Sequence, residues 1–355
     1  MDATWMTVLQ DLVKIDSSSK ERANYAVDLC ATWLESLNLN VETLENNGYK
    51  MLITTIGSGQ ETIILNGHVD VVPAKEEHFQ PVIKDNKLFG RGTADMKAGV
   101  VAFMWAVSEL KDQILSRKVQ LQIVSDEETG GHHCSAYLAQ NGYTGNFVIC
   151  SEPTQLGIGL QAKGILRLDV TIRGASSHSS RPWEGNNAIE LAYGFHNQLK
   201  RLPFSQESSE WYSSPSINLA KISGGDVYNM VPDTCILSYD IRYLPEQKTE
   251  DILSQIQSIL PDKSEIYKIT EAPPVTTSRE NLWISKLSSS ISKYTKKEAV
   301  LFGQHGAADT RYFSEIGIPA VEFGPTGGHW HGDDEFVEIQ SIEIYKNMIV
   351  DFCKK

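Results

Sequence analysis

The chain has 355 residues, of which 41% are hydrophobic and 22% charged, and carries a formal net charge of -13. That length exceeds one typical core and points to two domains, while the acidic balance argues against a nucleic-acid binder and leaves no footprint for an anionic membrane. No run approaches the roughly 18 apolar residues of a membrane span, the opening MDATWMTVLQDLV lacks the regions of a signal peptide, and five scattered cysteines without CxxC spacing fit a reduced, cytoplasmic enzyme.

Trp5, Val8, Leu9, Leu12 and Val13 recur at helical spacing, as do Ala26, Leu29, Cys30, Trp33, Leu34 and Leu37, so two amphipathic helices open the chain. Strands are expected at Val41–Leu44 and Met51–Ile56. The run from Thr62 then reads as a buried strand whose carboxyl end carries His68 and Asp70. A loop with a strand pair leads to GRGTADMKAG (90–99) and an apolar helix over Val100–Leu110. Next come a strand from Val119 that runs out into Asp126, Glu127 and Glu128, a helix near Cys134–Gln140, and a strand Phe147–Cys150 ending in Ser151 and Glu152. Strands alternating with helices predict an α/β sheet with much parallel character.

From about Lys163 the grammar changes. A strand over Ile165–Ile172, a helix over Asn187–Leu199, strands at Ser216–Ile222 and Cys235–Tyr243, a helix over Lys248–Leu260 and a strand near Glu265–Thr270 follow a β-α-β-β-α-β order, that of a ferredoxin-like unit. Pro273-Pro274 marks its exit, and α/β grammar resumes. A helix is expected near Leu282–Tyr294, a strand at Val300–Phe302, a helix from Ala307, a strand at Pro319–Phe323 and a closing helix over Ile339–Phe352. The expected division is a catalytic domain in two segments, 1–162 and 274–355, with an inserted α+β domain over 163–273.

In sheets of this kind ligands bind beyond the carboxyl ends of the strands. His68, Asp70, Glu127, Glu128 and Glu152 all sit there, with Asp95 in a Gly-rich loop entering a helix and His331 in GPTGGHWHGDDEF. Singly each has a bland reading: His68 a core histidine, Asp95 an N-cap, the acid triplet a solvated turn. Their coincidence at strand ends does not. Carboxylates and imidazoles without cysteine suit zinc or a similar divalent ion. Two such ions polarise an acyl carbonyl and activate a water, and one acid must be left over as the proton carrier.

The motifs NGHVDVVP (66–73), GRGTADMKAG (90–99), SDEETGG (125–131), SEP (151–153), GASSHSSRPWEGNNAI (174–189), NMVPD (229–233), DIR (240–242) and HGDDEF (331–336) occur in one order across the chain. In these it resembles the M20 metallopeptidases and deacylases, the group of succinyl-diaminopimelate desuccinylase, acetylornithine deacetylase, aminoacylase and carboxypeptidase G2. The resemblance implies a mixed, largely parallel-stranded zinc-hydrolase domain with an inserted lid and dimerisation domain, and two Zn2+ for which Co2+ or Mn2+ substitute. It implies one ion held by His68 and Glu152, the other by Glu128 and His331, with Asp95 bridging through a residue whose following peptide is cis. Glu127 would be the general base and acid, Asp70 the residue that fixes the His68 ring, and His178 the oxyanion donor. Arg242 and Asn229 match positions that grip a substrate carboxylate, and Asp309 a position near the substrate. His329 rivals His331 as ligand, Trp330 stands where relatives have a small residue, and Arg242 has a bland reading as a partner of Asp240 or Glu246. The implied activity is hydrolysis of an N-acyl amino acid, or of a di- or tripeptide, by a cytoplasmic homodimer joined through residues 163–273, with no nucleic-acid or membrane partner.

Overall fold

The structure is a computed structural model that describes residues 4–355. By internal contact the chain forms two compact units. One comprises the chain up to Leu160 with Thr276–Phe302 and Ala308–Lys355, and the other comprises Gln161–Val275 with Gly303–Ala307. The last short stretch belongs with the second unit because Gln304 O accepts from the Tyr212 hydroxyl at 3.0 Å.

The first unit is built on a nine-stranded mixed sheet whose inner part runs Val41–Asn46, Tyr49–Gly57, Lys118–Val124, Thr62–His68, Phe147–Cys150 and Ala320–Glu322. The last four of these are mutually parallel, and the first two join antiparallel at one side. Thr62–His68 is central: Ile63 pairs with both Val119 and Phe147, and Leu65 with both Leu121 and Ile149. These strands are buried on both faces, which is why they read as near-continuous apolar runs rather than alternating ones. The helix Ala98–Leu110 is likewise largely apolar, with Val100, Val101, Phe103, Met104 and Val107 buried. By contrast, Lys20–Ser36 buries one stripe only, through Ala23, Ala26, Val27, Cys30, Ala31 and Leu34, and its Ser19 side chain caps the Arg22 amide.

The second unit has four antiparallel strands in the order Ser216–Gly224, Thr234–Tyr243, Gly164–Arg173, Glu265–Ala272. With the helices Ala188–Leu199 and Thr249–Ser258 over a core of Leu166, Leu168, Val170, Phe195, Leu237 and Ile256, this is the ferredoxin-like arrangement. Asn187 is the N-cap of the first helix, accepting from the Ile189 amide, so the helix starts one residue later than periodicity suggests.

The sequence reading leaves out one strand of the main sheet and the partners of the strand pair expected before Gly90. Ile158–Ala162 is a further strand of the main sheet. A separate four-stranded sheet pairs Gly327–Gly328, Phe336–Glu338, Lys87–Phe89 and Val82–Lys84. Its strands have two or three residues, too few to show any period, yet it clamps the GRGTAD loop beside the segment that carries His331. A Leu121→Ala substitution in the fully buried strand next to the centre should lower unfolding stability by about 2–5 kcal/mol; chemical denaturation followed by tryptophan fluorescence measures it.

Candidate metal centre

His68 is the last residue of the central strand and is 1% exposed. Its Nδ1 lies 3.0 Å from the Asp70 carbonyl oxygen. A carbonyl only accepts, so Nδ1 carries the hydrogen and Nε2 is the edge turned to the site. Asp70 holds the ring chiefly through its main chain, since its carboxylate Oδ1 is 3.5 Å from Nδ1 while Oδ2 accepts from the Glu128 amide at 2.9 Å.

Asp95 sits in the irregular turn Thr93–Lys97, and the Asp95–Met96 peptide is cis. The turn is entered through Gly92 at φ 77°, where a Cβ would lie 2.5 Å from Val71 Cγ1, so no side chain fits there. What shapes it is a residue to which the motif reading assigned no role. The buried Glu335 carboxylate accepts from the amides of Gly92 (3.0 Å), Ala94 (3.0 Å) and Asp95 (3.1 Å) and from Arg91 Nη1 (2.6 Å).

The strand Lys118–Val124 stops before the acids. Glu127–Thr129 forms a single helical turn closed by Gly130 at φ 114°. Successive residues of a strand point to opposite faces; leaving the strand is what lets both glutamates face one point. Glu127 Oε2 comes within 4.0 Å of His68 Nε2, and Glu128 Oε1 within 3.3 Å of His331 Nε2. Asp126 turns inward instead: its Oδ2 accepts from the His133 amide at 2.7 Å and its carbonyl from the Gly131 amide at 2.7 Å.

His331, at φ 64°, places Nε2 3.2 Å from Asp95 Oδ2, while His68 Nε2 is 3.1 Å from Asp95 Oδ1. One carboxylate thus faces an imidazole with each oxygen. His68, Asp95 and Glu128 have ligand atoms within 4.8 Å of one another, and Glu152 Oε1 lies 4.0 Å from His68 Nε2. The rival His329 is engaged elsewhere, with Nδ1 2.6 Å from Asp334 Oδ2.

The charges are mutually dependent. Burial pushes the Glu127 and Glu152 carboxyls well above the usual range, with the neighbouring acids adding and His68 opposing. Burial also works to raise Asp95, but its hydrogen bonds to His331 and His68 outweigh that and hold it below the range. Burial disfavours the His68 charge, yet Asp70 and Asp95 bring its pKa well above the ordinary value; hydrogen bonds to Asp95 and Glu128 push His331 up to about 10. An anionic pocket of this kind calls for positive charge, and imidazole plus carboxylate with no thiolate is the donor chemistry of zinc-like divalent ions.

The remaining sequence candidates lie as follows. Asp309 is buried: its Oδ2 accepts from Ser135 Oγ at 2.5 Å and its Oδ1 lies beneath Gly131, where a Cβ would come within 2.1 Å. Burial raises its pKa to about 6. Its neighbours Arg311 and Tyr312 donate to the Gly130 carbonyl, Arg311 at 2.7 Å, so this segment braces the acidic turn from below. His178, Asn229 and Arg242 belong to the second unit. His178 is exposed, with Nδ1 accepting from the Ser180 amide at 3.2 Å. Asn229 O accepts from the Ser179 amide at 3.1 Å, and Arg242 Nε donates to Asp240 Oδ1 at 2.7 Å.

Residues 64–355 match the model of the peptidase family M20/M25/M40. The chain belongs to that family. It is an enzyme that hydrolyses amide bonds, and the family depends on a dinuclear metal site. Among its relatives is a protein named probable succinyl-diaminopimelate desuccinylase from Staphylococcus aureus, 28% identical over 98% of this chain and 97% of the relative. The M20 fold is shared with a Staphylococcus aureus tripeptidase (TM-score 0.83, 22% identity, covering 100% of this chain and 98% of that one). It is shared also with a Bacillus subtilis protein described as a dinuclear metal binding peptidase (TM-score 0.75, 14% identity, covering 98% and 96%).

The raised pKa of His68 and of His331 favours their protonated forms, so a divalent ion binding both imidazoles would release protons. Zinc binding at pH 7 should therefore release protons, and affinity should rise as pH increases toward the His331 value of about 10. Calorimetric titrations in buffers of different ionisation enthalpy read the release directly; heats independent of buffer would contradict it.

Proposed function

We propose that this M20 enzyme is a two-zinc amidohydrolase that removes the acyl group from an N-acyl amino acid of the succinyl-diaminopimelate or acetylornithine type. The observation that carries the reading is the pair of imidazoles set on the two oxygens of Asp95, with Glu127 beside them and directed at the same point. His68 and Glu152 would hold one ion, Glu128 and His331 the other, and Asp95 both; Co2+ or Mn2+ would substitute. When bound, the ions would polarise the acyl carbonyl and make a water a stronger acid.

The rest of the reaction falls to the chain's own residues. Glu127, a carboxylate made more basic by burial, takes the proton of the attacking water and hands it to the departing amine. Asp70 keeps the His68 ring in the tautomer that offers Nε2. His178 is assigned the oxyanion: since its Nδ1 accepts from the Ser180 amide, Nε2 carries the hydrogen and is a donor. Arg242 and Asn229 are assigned the substrate carboxylate, with Asp240 holding the guanidinium by Nε. For Asp309, buried under the acidic turn, the support we see is for a bracing role close to the substrate site. A homodimer through residues 163–273 accords with the edge strand Ser216–Gly224, on which Ile222 is exposed. Five buried, unpaired cysteines accord with a cytoplasmic setting.

The likeness in sequence to proteins named desuccinylase favours the deacylase. The tripeptidase of the same fold keeps a second reading, di- or tripeptide hydrolysis, which uses the same centre. Zinc-loaded protein assayed against succinylated, acetylated and dipeptide substrates separates them: the proposal expects the acylated amino acids to give the highest kcat/KM, and a preference for peptides selects the second reading. A Glu127→Ala variant should keep its zinc and lose roughly 10²–10⁴-fold in kcat; unchanged turnover would remove Glu127 from the mechanism. His178→Ala should lower kcat by about 10²–10³-fold at unaltered zinc content, measured by steady-state kinetics with metal analysis.

A further inference from the structure

We infer that the buried ion pair Glu335–Arg91 is a positioning device that sets Asp95 against His331, and so governs the affinity of the one metal position which those two residues share. The inference rests on the two-metal reading above.

Both charges are nearly removed from water, Glu335 at 2% and Arg91 at 4% exposure, and they meet at 2.6 Å. Such a pair is weak evidence for stability, because desolvation offsets much of the attraction. Its hydrogen bonds, however, are distributed in a particular way. On one side the Glu335 carboxylate gathers the amides of Gly92, Ala94 and Asp95, and the Glu335 carbonyl accepts from the Gly90 amide at 3.0 Å. On the other side Arg91 Nη2 donates to the His331 carbonyl at 3.0 Å. One ion pair therefore ties the main chain of one ligand-bearing turn to that of another, 236 positions later in the chain (331 − 95).

His331 needs such a tie. Its side chain is half exposed and its backbone is in the left-handed region. His68 needs none, because it ends a strand paired on both sides, and Glu152 follows a second strand of the same sheet. Glu335 and Arg91 make no hydrogen bond to either among the described residues. Asp95 serves both positions, but of the other ligands only His331 is tied by the pair, so the pair should act more strongly on the position built from Glu128 and His331 than on the one built from His68 and Glu152. A purely structural ion pair predicts no such asymmetry.

The test is a Zn2+ titration of full-length, metal-depleted protein in competition with a chromophoric chelator, on wild type, Glu335→Gln and Arg91→Lys. Glu335→Gln keeps the shape but removes the charge and turns one acceptor into a donor facing amides. Arg91→Lys keeps the charge, but a single ammonium cannot reach both Glu335 and the His331 carbonyl. In each variant one of the two zinc steps should weaken by about 10–100-fold, and by clearly more than the other, and excess Zn2+ should restore most of the lost kcat/KM. Two wild-type steps with both variants unchanged, or with both steps weakened alike, overturn the inference and leave the two-metal reading standing. A wild type that takes up no zinc removes that reading and the inference with it. Should Glu335→Gln fail to fold, Arg91→Lys, which retains balanced buried charge, decides by the same asymmetry.

Discussion

Like charge crowded at the end of a sheet is the constraint on which this structure depends. Asp70, Asp95, Glu127, Glu128 and Glu152 converge where parallel strands finish, and they do so largely out of water. Without compensation such a cluster would push its members apart or protonate them, and burial raises the pKa of Glu127 and Glu152 in that direction here. Two imidazoles supply part of the balance, and a pair of divalent cations would supply the rest. The fold tolerates the cluster because its scaffold is rigid: apolar strands buried on both faces and a largely apolar helix entered from the Asp95 turn.

Each acid is given its own job by the backbone that carries it. Asp126 turns inward and stitches the acidic turn to His133 and Gly131. Glu127 and Glu128 diverge from strand geometry just enough to reach different imidazoles. Asp70 serves two neighbours at once, through its carbonyl to His68 and its carboxylate to the Glu128 amide. Below them Asp309, Arg311 and Tyr312 fix the turn at Gly130 and Gly131. The centre is therefore held by main-chain hydrogen bonds from carboxylates as much as by side-chain packing.

Much of this was legible from residue order, for reasons that differ by element. Buried strands announce themselves as apolar runs, and a polar residue at the end of such a run is easily placed; His68, Glu127 and Glu152 were found that way. The bend after Val124 followed from the two-residue period of a strand. Strand Ile158–Ala162 escaped because GIGLQA is too short and glycine-rich to show a period. The sheet that joins Lys87–Phe89 to Phe336–Glu338 escaped for the same reason. Glu335 escaped because its partners lie about 240 positions earlier, and no local spacing signals a carboxylate that serves distant amides.

By itself the sequence determined the α/β class, the inserted ferredoxin-like segment and the residue types available for metal chemistry, since periodicity and composition are local properties. Only tertiary structure decided that Asp95 shows one oxygen to each of two histidines, that His331 rather than His329 faces it, and that Asp309 lies buried beneath the acidic turn. Those are distances between segments far apart in the chain. They exist only once the strands are paired and the short sheet has brought Glu335 beneath the loop of Asp95.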